Sequence, residues 1–367
     1  MAASGIRVVD SPASMSPGER LAIGLAAAAT LAAGILHFAG SPSVPTFVVS
    51  AVSLALLARL VGDGTEQLGG RLNAGLTGMV QSLLGNLPEL FIGIFALRQG
   101  LVSVVQSALI GSILGNSVLV LGLAFLVGGL RHGVQRFDVA PPQSIALLTL
   151  LAAGGLAMPT LSEQLHTPAA QHEEALSAIC AVALLVVFVG STIATLRGDG
   201  GAQPSPELPP EEVGLWPFGL TLGVLTASGV AAAFASDWFV TALTPATATL
   251  GLSQGFTGLV VVALAGNAVE NVVGVQLMAD NRPDYAISVI LNSSLQVALF
   301  LIPLLVLLSF VIGAAHLTLV LAPLLLGALL LAALLGALVV ADGQSTWLEG
   351  LALIALYVII AAGYWWG

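Results

Sequence analysis

The sequence predicts an all-α polytopic membrane protein of about eleven transmembrane helices, arranged as two inverted five-helix repeats behind one extra N-terminal helix. Three observations carry this. Of 367 residues, 57% are hydrophobic and only 8% charged, with a mean hydropathy of +1.03, a balance foreign to a soluble domain of this length. Charge-poor stretches of membrane-spanning length recur along the whole chain. The chain also repeats itself, with a constant offset of 181 residues that carries Asn86 onto Asn267 and Glu89 onto Glu270.

Taken in order, residues 1–19 form a polar N-terminal tail with no cleavable signal pattern, expected in the cytoplasm. An extra transmembrane helix at 20–39 follows and acts as its own insertion signal. The first repeat, 40–196, holds candidate spans at 44–62, 72–97, 103–128, 142–160 and 174–196; the second, 215–367, holds 215–235, 247–279, 285–311, 317–340 and 347–366. The stretches 72–97 and 247–279 are too long or too interrupted for plain spans, so bent or broken helices are expected there. Between the repeats, 197–214 is an acidic, Pro-rich cytoplasmic linker containing Glu207, Glu211 and Glu212, read as a solvated tether rather than a cation sensor. All nine basic residues are arginines. With the N-terminus inside, only Arg98 falls outside, and the C-terminus, with Tyr364, Trp365 and Trp366, lies outside. An odd number of spans between the motifs inverts the second repeat.

Each repeat carries Gly-Asn-x-x-Glu in an apolar stretch: Gly85 to Glu89 and Gly266 to Glu270. A charge at the centre of a spanning helix costs about 2.5–3.5 kcal/mol, so an intramembrane Glu marks an ion or proton path by default. The offset also pairs Gly93 with Gly274, Ser107 with Ser288, and Ser112 with Ser293. Positions i, i+3 and i+7 share a helix face, which aligns Asn86, Glu89 and Gly93, and likewise Asn267, Glu270 and Gly274. A hard divalent cation wants several oxygens and compensating negative charge, which Glu89 and Glu270 supply, with Asn86, Asn267, Ser112 and Ser293 adding neutral oxygens. When the cation leaves, two carboxylates remain together in a low-dielectric site, and the empty site takes up protons. Competition between cation and proton suffices for antiport. Gln81, Gln106, Asn116, Asn271, Asn292, Ser294 and Gln296 are candidate pathway residues, balanced against plain interhelical hydrogen bonds, and Glu66, with Asp63, is a candidate vestibule acid.

Several classes are excluded or weakened. There is no basic patch for nucleic acid. The single cysteine, Cys180, allows neither a disulfide nor a thiolate metal site and reads as a packed core residue. No His-Glu-x-x-His motif is present and neither motif Glu has a His beside it, so an intramembrane enzyme is not expected, and no cofactor is expected either. His166, His172, Glu173 and Glu174 read as helix-end residues rather than a metal site. A protonated Glu acting as packing glue explains one motif but poorly explains two. A channel gains nothing from inverted repeats.

The ordered set Gly62-Asp63-Gly64-Thr65-Glu66-Gln67-Leu68, Gly85 to Glu89, Gly111-Ser112-Ile113-Leu114-Gly115-Asn116, Gly258-Leu259-Val260, Gly266 to Glu270, Ser293 to Phe300 and Asp342 to Gly350 resembles the proton-coupled calcium exchangers (CAX type, Ca2+/H+ antiporters) of the cation/calcium exchanger superfamily. The resemblance implies exchange of Ca2+ for H+ by alternating access, with Glu89 and Glu270 as the shared calcium and proton carboxylates and Asn86 and Asn267 beside them. It implies calcium ions and protons as partners, with no resident cofactor. Sodium/calcium exchangers of that superfamily usually show Gly-Thr-Ser-x-Pro-Glu at these places, which this chain lacks. Three departures stand out: Asn271 where the family commonly has His, Gln81 where it often has Asn, and Asn292 where it often has Gly. The alternative function is a monovalent cation (Na+ or K+)/H+ antiporter, since selectivity rests on cavity size and ligand number. The expected setting is the lipid bilayer of a bacterial plasma membrane, with a second copy of the chain as a possible partner.

Overall fold

The computed structural model describes residues 15–72, 80, 83–197, 215–312 and 315–366. The tail 1–14, Gln81 and the linker 198–214 lie outside the described residues, and Glu270 is described by its backbone alone. Helix α1 spans Pro17–Phe38, started by a capping box between Ser16 and Glu19; α2 spans Ser43–Gly69 and α3 spans Leu87–Arg98. Helix α4, Val102–His132, contains a π turn at Gly115–Val120, and α5 spans Ala140–Gln164 and α6 Glu173–Arg197. Beyond the linker come α7 (Phe218–Leu250), α8 (Gln254–Gly266, with a π turn at Thr257–Val262), α9 (Ala268–Ala279), α10 (Pro283–Ile312, with a π turn at Val297–Leu301), α11 (Pro323–Val339) and α12 (Trp347–Trp365). Two short strands, β1 (Gln135–Arg136) and β2 (Gln344–Ser345), pair antiparallel.

Eight of these helices are long and apolar enough to cross a membrane among the described residues, and α8 with α9, bent by 63° at their junction, makes a ninth. Of the eleven expected spans, the other two correspond to α11, only 17 residues long, and to the stretch that ends in α3, part of which is not described. Two boundaries differ from expectation. Helix α7 runs unbroken for 33 residues through Pro245, where the sequence suggested one span ending near 235 and the next starting near 247. The hydroxyl of Thr249 donates to the Pro245 carbonyl at 2.8 Å and that of Thr247 to the Thr244 carbonyl at 2.9 Å, so both threonines turn back onto their own helix beside the proline. The helix stops only at Gly251, whose φ of 66 is the left-handed C-cap conformation glycine adopts freely. The tenth span, expected from 317, begins at Pro323 instead; 315–322 lies outside regular secondary structure, with a bend at Leu319.

Helix α4 is the centre, with 78% of its most apolar window buried, against 17% for α6 and 22% for α1 and α12, which turn their leucines and valines outward as lipid-facing helices do. Glycines set the closest crossings. A methyl on Gly111 of α4 would meet the backbone of Leu259 in α8, and one on Gly258 would lie 2.6 Å from the Val104 carbonyl oxygen of α4. Helices α2 and α7 pack along their length, with Phe47 stacked on Phe239 at 4.7 Å between centroids and Leu225 seated on Gly64.

The contacts sort the connections to two ends. At one, the Trp216 amide donates to Gln67 Oε1 at 2.8 Å, the Arg71 guanidinium donates to the Trp216 carbonyl, β1 pairs with β2, and the Asp138 amide donates to Asp284 at 2.7 Å. At the other, Gln99 donates to Thr241 at 3.3 Å, Ser103 to Gln254 at 3.2 Å, and His316 pairs with Glu174 at 2.9 Å. Arg71, Arg131, Arg136 and Arg282 gather at the first end and Arg98 at the second.

Candidate functional site

The two motifs break their helices in the same way. Asn86 has φ −92 and ψ 14, and Asn267 has φ −95 and ψ 21, so each leaves the helical region for one residue. The following helices, Leu87–Arg98 and Ala268–Ala279, are both 12 residues long and coincide under the offset of 181. Each motif Glu is the third residue of its helix. There the unpaired amides and the positive end of the helix dipole favour a carboxylate, and Pro88 costs nothing because a first-turn amide has no partner to lose.

The break in one motif receives the carboxylate of the other. A methyl built on Gly266 would lie 2.8 Å from Glu89 Oε1 and 2.9 Å from its Cδ, so the carboxylate rests directly on the Gly266 backbone. Only glycine permits that approach. Gly266→Ala should displace the flexible end of Glu89 rather than the fold. The expected result is a protein that stays monodisperse, with stability changed by about 1 kcal/mol or less, and that transports about tenfold more slowly. Thermal unfolding and a flux assay read the two separately.

Around this contact, hydrogen bonds between neutral side chains join the halves. Asn267 donates to Ser112 Oγ at 3.0 Å and to the Ala263 carbonyl at 3.0 Å. Asn116 donates both to Asn267 Oδ1 at 3.3 Å and to Ser293 Oγ at 2.8 Å, and Asn86 donates to Gln296 Oε1 at 3.2 Å. Ser117 and Ser294 share a hydrogen bond of 2.8 Å. Asn116, Ser117 and Ser294 are at most 2% exposed. Asn116 bridges the second motif and α10, bonding Asn267 and Ser293 at once. A narrow cavity rises from Glu89 and Ser112 toward the Arg98 end, walled otherwise by apolar side chains such as Ile92, Ala96, Val105, Leu109 and Val262.

The structure thus brings together Glu89, Asn86, Asn267, Ser112, Ser293, Asn116, Ser294 and Gln296. Glu270 is placed beside them by its backbone, on the first turn of α9. Four others stand apart. Gln106 has its amide on the carbonyls of Thr318 and Val320, Asn292 is half-buried, and Glu66 is exposed near the C-terminal end of α2. Asn271 Oδ1 is buried with no hydrogen-bond partner among the described residues. Sequence reasoning missed Ser117 and the part played by Gly266. Adjacency to Asn116 pointed to the first; nothing in one chain pointed to the second beyond its place in the motif.

Comparison with known proteins follows this geometry. A family profile described as "Sodium/calcium exchanger protein" matches residues 42–196 and 220–366. A Ca(2+)/H(+) antiporter of Aphanothece halophytica is 32% identical over 348 residues, covering 89% of this chain and 92% of the relative. The Ca(2+)/H(+) antiporter ChaA of Bacillus subtilis is 32% identical over 329 residues, covering 88% and 92%. Among solved structures, native YfkE superposes with a TM-score of 0.80 at 29% identity, covering 94% of this chain and 99% of that one. An H+/Ca2+ exchanger, CAX, superposes with a TM-score of 0.75 at 15% identity, covering 95% and 92%, a likeness of fold.

Proposed function

We propose that this chain, which belongs to the sodium/calcium exchanger protein family, exchanges Ca2+ for H+ across a membrane, presenting one carboxylate site to each face in turn. The family is one of transporters, not enzymes. The observation that carries the reading is the seat of Glu89 on Gly266: a carboxylate from one motif meets the broken helix of the other, with amide and hydroxyl oxygens of both halves around it. Such a site offers a hard cation charge and oxygen at once, and offers a proton the same oxygens when the cation leaves. The naming of the relatives as Ca(2+)/H(+) antiporters supports calcium and protons as the pair exchanged.

Glu89 and Glu270 bind both ions in competition, Asn86, Asn267, Ser112 and Ser293 supply neutral oxygens, and Asn116, Ser294 and Gln296 shape the path. Residues 40–196 and 215–367 are inverted repeats, the equal lengths of α3 and α9 supporting that arrangement. The end that gathers Arg71, Arg131, Arg136 and Arg282 faces the cytoplasm, which puts the C-terminus outside. A bacterial plasma membrane is the setting. The test is calcium-45 uptake into proteoliposomes under an imposed pH gradient. Uptake that needs the gradient, with matching proton counterflow, is expected. Uptake indifferent to the gradient, or exchange of sodium or potassium for protons in preference, overturns the calcium assignment.

A further inference from the structure

The segment 315–322, between α10 and α11, lies outside regular secondary structure, yet its residues Leu317, Leu319 and Leu321 are at most 4% exposed. Buried backbone outside regular structure must find its partners elsewhere, and four helices provide them. Ser309 of α10 accepts from the Leu317 amide at 2.9 Å and Ser177 of α6 from the Leu319 amide at 2.9 Å. Thr160 of α5 accepts from the Leu321 amide at 2.8 Å while donating to the Leu319 carbonyl at 2.8 Å. Gln106 of α4 completes the set, its Nε2 donating to the carbonyls of Thr318 at 2.9 Å and Val320 at 3.0 Å. The side chains of four helices thus strap this segment into the protein.

Gln106 lies one turn before Leu109, and Leu109 is a wall of two cavities. One is the narrow space above Glu89; the other is lined by Gln106, Leu156, Ile302 and the strap's leucines. The half of α4 that precedes its π turn is therefore held between the strap and the site cavity.

We propose that Gln106 is a positioning residue for the exchange reaction: through it the strap 315–322 fixes the wall of the cavity above Glu89 and so sets access to that carboxylate from the Arg98 end. The consequence for transport rests on the exchange reading above; the geometry does not. Glutamine suits the position because two carbonyls need two N–H donors from one side chain, which Glu lacks and Leu cannot replace.

The test places a single thiol at Ala108, which lines the Glu89 cavity, in a Cys180→Ser background, and follows its reaction with a membrane-impermeant maleimide applied to either face of vesicles. Gln106→Leu and Thr160→Val are added separately. Thr160 lines neither cavity, so its variant reaches the site only through the strap. Both should change the labelling rate by about threefold or more and shift the KM for calcium more than the maximal rate, while Thr160→Ser, which keeps the hydroxyl, should label as the parent does. Unchanged labelling in whichever variant folds overturns the proposal. A change with Gln106→Leu alone also overturns it, because the effect then belongs to that side chain and not to the strap. Labelling reads the cavity and not the cargo, so it decides the role of the strap even if the parent protein moves no calcium.

Discussion

Glu89→Gln is expected to bring gradient-driven calcium uptake down to that of protein-free liposomes while the protein stays folded, and Glu270→Gln is expected to do the same. The substitution keeps shape and an acceptor oxygen and removes only the charge. At an effective dielectric near 20, two unit charges about 4 Å apart are worth about 4 kcal/mol, and a divalent cation doubles that, a loss no neutral amide makes good. A Gln cannot take up the proton that exchange requires either. The result discriminates sharply between roles. Were Glu89 a protonated packing contact, Gln would replace it as a hydrogen-bonding partner and uptake would survive; wild-type uptake in either variant therefore removes the carboxylate pair from the mechanism. Parallel recording of proton counterflow guards against a variant that still leaks calcium but has lost coupling.

The second large effect is on assembly. Gly111→Ala should leave little folded protein, because the added methyl meets main-chain atoms of α8, with Leu259 Cα at 2.6 Å, and main chain cannot swing aside as a side chain does. Overpacking of this kind costs about 3 kcal/mol or more when the neighbour is rigid. Gly258→Ala, whose methyl would meet the Val104 carbonyl from the opposite side, should behave alike. Fluorescence-detected size exclusion reads both; a monodisperse Gly111→Ala with unaltered melting would show that α4 and α8 cross less closely. The contrast with Gly266→Ala is the useful part. There the obstacle is the tip of a Glu side chain, so function and not folding should suffer.

The helices and both motifs were legible in the sequence because membrane-spanning runs are long, charge-poor and punctuated, and because an Asn-x-x-Glu inside such a run has few structural explanations. Boundaries were less legible where two cues conflicted. At 244–249 the Thr-Pro pattern reads as a break, yet α7 continues through Pro245 with the Thr247 and Thr249 hydroxyls bonded back onto its own carbonyls. At 315–322 a continuous apolar run reads as the start of a span, whereas leucines at 317, 319 and 321 alternate with other residues in the period of an extended chain, and Pro323 marks the true helix start. Within the site, Asn116, Gln296 and Ser294 were identifiable as polar residues in apolar helices. That Asn116 bridges both halves while Gln106 binds backbone was not, since both are single amides on one helix and only the neighbouring elements distinguish them.

The π turns of α4 and α10 have a consequence for how such a chain can change in length. Moved by the repeat offset, Gly115–Val120 falls on 296–301, and the π turn of α10 is found at Val297–Leu301. A π turn houses one residue more than a regular turn. Losing it would rotate everything on one side of it by about 100° and draw it in by about 1.5 Å. Ser112 and the residues beyond Val120 would then change their relative azimuth, as would Ser293 and the residues beyond Leu301. Insertions and deletions can therefore accumulate in the connections between helices, but at these two places the residue count is part of the site, and a gain or loss in one half would put it out of phase with the other.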